Sequence, residues 1–147
     1  MLRVLVVDDS RTERLLIRRV LETDPGIKVV GEAVDGRQAV ELAQELEPDL
    51  ITMDVVMPDM DGVEAAQRIL TVRTVPILLV TARSDSARIW NAFEVMKAGA
   101  LDVLGKPSGG SEDERATWAD ELIRRVRVLS GLDLGGDVPD QARLQRR

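Results

Sequence analysis

The chain contains no cysteine and no histidine. Their absence excludes disulfides, thiolate nucleophiles, imidazole acid–base catalysis and the usual Cys/His zinc sites. No stretch approaches the roughly 20 apolar residues that a bilayer-spanning helix requires. Met1-Leu2-Arg3 runs straight into a β-branched segment, leaving no room for a secretory signal, so the expected location is the cytoplasm. Basic residues are in deficit: 20 Lys and Arg against 26 Asp and Glu leave a net charge of −6, the wrong sign for a nucleic-acid-binding face. Chemistry in this chain has to run on carboxylates.

What is present is an alternation of two periodicities over 147 residues, a length suited to one domain. Val4 to Val7, Lys28 to Ala33, Leu50 to Met53, Ile77 to Val80 and Ala100 to Leu104 are short, almost continuously apolar runs. Such runs fit strands covered on both faces. Five helix candidates lie between and after them. The first opens at Ser10 with Glu13 in capping-box position and carries the stripe Leu16, Ile17, Val20, Leu21 until Asp24-Pro25-Gly26. The second spans about Gly36 to Leu46, with Ala39, Val40, Ala43 and Leu46 inward. The third spans about Gly62 to Thr71, burying Val63, Ala66, Ile69 and Leu70. The fourth runs from about Ser86 to Lys97 and closes at Gly99, and the fifth carries Trp118, Leu122, Val126 and Leu129 from about Glu112 to Leu129. Strands alternating with helices predict a doubly wound α/β sandwich with a parallel sheet.

Asp8-Asp9, Asp54, Thr81 and Lys106 each sit at or directly after the end of one of these strands. In an open parallel sheet the carboxyl ends of all strands meet at one edge, so these residues are expected in one crevice. An acidic pair after a strand is commonly only a turn; here a central strand delivers it to that edge, where a bound cation relieves the repulsion. Asp54 brings a third carboxylate, and such a set suits Mg2+, which prefers oxygen ligands and is completed by water and phosphate. The Thr81 hydroxyl and Lys106 ammonium could then hold a phosphoryl group. The turn Met57-Pro58-Asp59-Met60-Asp61-Gly62 opens the third helix and leaves a backbone carbonyl near Val56 available to the cation. Lys106-Pro107 is a candidate cis bond. Trp90 and Trp118 read as core or partly buried, and Arg124, Arg125 and Arg127 as a solvated helix face.

These residues, in this order, resemble the receiver domain of two-component response regulators. The resemblance rests on Asp8-Asp9, Asp54 with Met57-Pro58 and Asp61-Gly62, Thr81-Ala82, Gly99-Ala100 and Lys106-Pro107. It implies a flavodoxin-like five-stranded parallel sheet of order 2-1-3-4-5 with five helices. It further implies that Asp54 accepts a phosphoryl group from a sensor histidine kinase, that Asp8, Asp9, Asp54 and the Val56 carbonyl bind Mg2+, and that Thr81 and Lys106 hold the phosphoryl oxygens. Within the family, Val6 to Ser10, Asp49 to Val55 and Gly99 to Asp102 look most like the regulatory domain of chemotaxis protein-glutamate methylesterases.

The chain has no Gly-x-Ser-x-Gly elbow and no histidine base, so it is read as a regulatory phosphoacceptor and not a serine hydrolase. Residues 1–130 form the receiver and residues 131–147 a linker or disordered tail, the latter because its apolar content is too low to fold alone. The partners implied are the kinase and a downstream effector domain or protein, with homodimerisation on phosphorylation left open and no membrane or nucleic acid involved. Val103 stands where many receivers carry an aromatic, and Val56 and Arg83 flank the path of attacking water. Two competing readings are a Mg2+-dependent aspartyl-phosphate phosphatase or phosphotransferase, and a pseudo-receiver that acts by docking alone.

Overall fold

The computed structural model describes residues 1–82, 101–107 and 111–131. Five strands, β1 (Leu2–Val7), β2 (Ile27–Ala33), β3 (Leu50–Met53), β4 (Ile77–Thr81) and β5 (Leu101–Gly105), form one parallel sheet of order β2-β1-β3-β4-β5. The helices among the described residues are α1 (Arg11–Leu21), α2 (Gly36–Leu46), α3 (Gly62–Val72) and α4 (Glu112–Ser130). This is the expected flavodoxin-like sheet, with strand limits within two residues of the predicted runs. The helix expected at 86–97, together with Arg83, Trp90, Gly99-Ala100 and the tail from 132, falls outside the described residues.

The strands are apolar throughout because both sheet faces are covered. Along β1, Val4 and Val6 enter one core while Leu5 and Val7 enter the other, and β3 and β4 divide their side chains the same way. One core lies under α2 and α3, where small Ala39, Ala43, Ala65 and Ala66 let the helices approach Ile51, Met53, Ile77 and Leu79. The other lies under α1 and α4, with Ile17, Leu21, Trp118, Leu122, Val126 and Leu129 against Leu50, Leu78 and Val80. Each fully buried large side chain here contributes about 1.5–3 kcal/mol from removal of apolar surface. Trp118 is a core residue as expected, and its indole N–H donates to the Gly105 carbonyl at 2.7 Å.

Side-chain caps start the helices and direct the loops at the carboxyl edge. Ser10, Asp35, Asp61 and Ser111 each accept a hydrogen bond from the backbone N–H three residues on. Gly62, the first residue of α3, donates its N–H to the Val55 carbonyl at 2.8 Å. A Cβ there would lie 2.1 Å from the Asp54 carbonyl oxygen, so only glycine lets α3 start this close to the loop after β3.

Four expectations are corrected. Leu16 is 42% exposed: Ile17 and Leu21 turn into the core, while Leu16 borders an open groove between α1 and α4. The Lys106–Pro107 bond is trans, the form that X-Pro favours by about 0.5–1 kcal/mol when no tight turn demands the other. The Arg124, Arg125 and Arg127 face is not simply solvated. Arg125 bridges to Asp102 and the Val103 carbonyl, and Arg127 pairs with Asp24, which ties α4 to β5 and to the turn after α1. The capping box is half formed: Ser10 caps the Glu13 N–H, but the Glu13 carboxylate turns away toward Lys106.

Candidate functional site

Three backbone hydrogen bonds continue the sheet ladders beyond the strands and assemble the carboxyl edge. Asp8 donates its N–H to the Ala33 carbonyl at 3.1 Å, Asp54 to Val7 at 2.9 Å, and Lys106 to Thr81 at 2.7 Å. The ends of β2, β1 and β3 are thereby held side by side, as are those of β4 and β5. Lys106 Nζ then lies 3.0 Å from Asp8 Oδ2 and 3.3 Å from Asp54 Oδ2. Its third contact is the Glu13 carboxylate. One carboxylate oxygen from each of Asp8, Glu13 and Asp54 lies within 4.8 Å of the others.

Asp8 and Asp54 are buried and held by their own loops. Asp8 Oδ1 accepts from the Ser10 N–H at 2.9 Å, and Asp54 Oδ1 from the Val55 N–H at 2.8 Å. Burial pushes the Asp8 carboxyl up to about 6, against the pull of the Ser10 amide and the Lys106 ammonium. Burial likewise raises the Asp54 carboxyl, in spite of the Lys106 charge. For Lys106, burial disfavours the charged form, but bonds to Glu13 and Asp8 and the Asp54 charge outweigh it and raise the ammonium above its ordinary value. One cation among three carboxylates leaves negative charge in excess, the condition that a divalent cation relieves.

Thr81 is fully buried, and its hydroxyl has no hydrogen-bond partner among the described residues. An unpaired buried hydroxyl costs about 1–3 kcal/mol, a penalty removed when a ligand oxygen meets it. Thr52 on β3 carries a second such hydroxyl. The remaining predicted site residues are placed differently. Asp9 is exposed, outside the three-carboxylate group, so the adjacent acids of the pair part company, one inward and one outward. Val56, two residues beyond Asp54, is 63% exposed. Val103 is half-buried against the core under α2 and α3.

Two residues of α1 join the site without having been singled out for it. Glu13 lies beside Asp8 and Asp54 as a third carboxylate contact of Lys106. Arg14 donates from Nη1 to the Asp8 carbonyl at 2.8 Å and from Nε to Glu32 at 3.1 Å, clamping the loop that carries Asp8 against β2. The only sequence signal for either is position: they fall in the first turn of a helix that opens directly after the acidic pair.

A profile of the response regulator receiver domain matches residues 4–115. The chain belongs to the response regulator receiver family. Among curated relatives, this receiver is 45% identical over 127 residues to protein-glutamate methylesterase/protein-glutamine glutaminase 1 of Geobacter sulfurreducens, covering 86% of this chain and 34% of that protein. It is 38% identical over 130 residues to methylesterase/glutaminase 4 of Geobacter metallireducens, covering 88% and 38% respectively. The receiver therefore spans about a third of the length of these relatives. Among solved structures, the response regulator domain of Thermotoga maritima CheB superposes with a TM-score of 0.78 at 38% identity, covering 90% of this chain and 98% of that one. CheY6 of R. sphaeroides, solved in complex with the P1 domain of CheA3, gives a TM-score of 0.69 at 33% identity, covering 89% and 98%. The family is a regulatory one, and the relatives' methylesterase activity belongs to chains much longer than this. No helix among the described residues is long and apolar enough to cross a membrane.

Proposed function

We propose that this receiver is a phosphorylation switch of a chemotaxis-type two-component relay, with Asp54 as phosphoacceptor. The observation that carries this reading is the Lys106 ammonium between the buried Asp8 and Asp54 carboxylates, with the unpartnered Thr81 hydroxyl on the strand beside it. An Asp54 carboxylate oxygen would attack phosphorus of a kinase phosphohistidine. The O–P bond forms as the donor P–N bond breaks, and the electron pair leaves with the histidine nitrogen. Thr81 and Lys106 would bind the phosphoryl oxygens. Positioning and charge neutralisation are most of what such a transfer needs from the protein.

Asp8, Asp9, Asp54 and the Val56 carbonyl would hold Mg2+, whose chemistry there is to offset phosphoryl charge. That role fits a site in which the carboxylates of Asp8, Glu13 and Asp54 share the single ammonium of Lys106. The donor by this reading is the histidine-bearing domain of a sensor kinase, as the complexed relative from R. sphaeroides suggests. The effector is a methylesterase unit, as the relatives' names suggest. Residues 1–130 are the receiver unit and 131–147 a linker or tail. A phosphatase reading is disfavoured because Val56 offers no proton two residues after Asp54.

The test is transfer of labelled phosphate from acetyl phosphate or from a phosphorylated kinase domain in the presence of Mg2+. Acid-stable but base-labile label is expected on the wild type and none on Asp54→Asn. Equal labelling of the two proteins, or steady release of phosphate from phosphomonoesters, would overturn the assignment.

A further inference from the structure

The ammonium of Lys106 has three N–H donors and faces three carboxylates: Asp8, Asp54 and Glu13. All of its donors are therefore engaged before any phosphoryl group arrives, and one contact has to be given up for Lys106 to bind a phosphoryl oxygen. The three carboxylates are not equally free to leave. Asp8 and Asp54 are buried and anchored through their other oxygens to the Ser10 and Val55 amides. The Glu13 side chain is 40% exposed on the first turn of α1 and, among the described residues, has no partner besides Lys106. It can swing into water at little cost, whereas the other two would leave buried charge unpaired.

We infer that Glu13 is a competing counter-anion that occupies Lys106 in the resting receiver and is displaced from it by the phosphoryl group. This rests on the phosphoacceptor reading and adds a positioning residue to it. While Glu13 holds the ammonium, the incoming anion meets both an occupied donor and an extra negative charge, so the resting state is favoured. When Glu13 lets go, the change occurs on α1, next to the exposed Leu15 and Leu16. Occupancy of the site is thus reported on the α1 face by a route that does not involve position 103, where this chain has valine.

The deciding experiment measures beryllofluoride binding at saturating Mg2+ and, separately, Mg2+ binding alone, by amide chemical shifts of wild type, Glu13→Gln and Glu13→Asp. Glu13→Gln keeps shape and removes charge; Glu13→Asp keeps charge and shortens the reach. Both variants are expected to bind beryllofluoride roughly three- to tenfold more tightly than wild type, as removal of one partly exposed ion pair implies. Their Mg2+ affinity should stay within about threefold of wild type. Unchanged or weaker beryllofluoride binding by Glu13→Gln would overturn the inference, as would wild-type behaviour of Glu13→Asp. A larger loss of Mg2+ affinity would overturn it too, by making Glu13 a metal ligand instead. Failure of wild type to bind beryllofluoride at all would fault the phosphoacceptor reading itself, a result distinct from any difference among the variants.

Discussion

At the amino edge of the sheet, Arg3 donates its backbone N–H to Asp49 and its guanidinium to the carbonyls of Leu46 and Glu47, while Arg127 clasps Asp24 across the turn after α1. At the carboxyl edge, Thr81 keeps a buried hydroxyl with no partner and three carboxylates share one ammonium. The same strands end in both places. The amino edge meets most of its polar needs from within the chain, with last-turn carbonyls and paired ions, and leaves the buried Arg73 Nε without a partner among the described residues. The other leaves a hydroxyl and an excess of negative charge for something to complete. A buried unsatisfied group lowers stability, and on the phosphoacceptor reading the carboxyl edge gives up that stability to bind a ligand.

The strongest way to break that contrast is to add one carbon at each edge. Gly62→Ala would drive a Cβ into the Asp54 carbonyl and is expected to cost about 3 kcal/mol or more in urea unfolding, with loss of Mg2+ binding. Gly131→Ala at the opposite edge meets only carbonyl oxygens at 3.6 Å and should change stability by no more than about 0.5 kcal/mol. Similar costs at both positions would mean the loop after β3 is not held by close approach.

Next in size is the response to metal. Mg2+ at about a hundred times its dissociation constant should raise wild-type stability by roughly 2.7 kcal/mol in thermal melts. Asp8→Asn should abolish that increment, whereas Arg3→Ala should retain it while lowering metal-free stability by about 1–3 kcal/mol through the carbonyls it leaves unpaired. A metal response surviving in Asp8→Asn would place the cation elsewhere.

The smallest effect is with acid. The Arg127 guanidinium and the Gly26 amide hold the Asp24 carboxyl below its ordinary 3.8. A lowered carboxyl stabilises the fold above the unfolded-state value and loses that contribution as pH falls through the native one. The stability difference between wild type and Arg127→Met should therefore be present at about pH 6 and vanish in strong acid. A difference independent of pH would assign Arg127 a packing role instead.

The sequence was most informative where a single periodicity decides the outcome. Alternation of two along β1, β3 and β4 sets which side chains enter which core, and apolar runs closed by a polar residue mark where Asp8, Asp54, Thr81 and Lys106 must lie once strands are parallel. The 3.6-residue period picked the buried face of α4 without error, Trp118, Leu122, Val126 and Leu129 all being buried. It misjudged Leu16, because how wide a stripe is covered depends on the neighbour packed against it, here an α4 that leaves a groove open beside α1.

Fold class and the convergence of four chemical groups on one edge were thus written in the chain itself, because they follow from short-range pattern and from the geometry of parallel crossovers, while the strand order was implied by the resemblance to receiver domains. Tertiary structure alone decided that Asp9 faces out, that Glu13 turns from its cap to an ammonium 93 residues away, and that Arg125 and Arg127 become tethers. Long charged side chains choose partners by where other strand and helix ends come to rest, and no local periodicity encodes that.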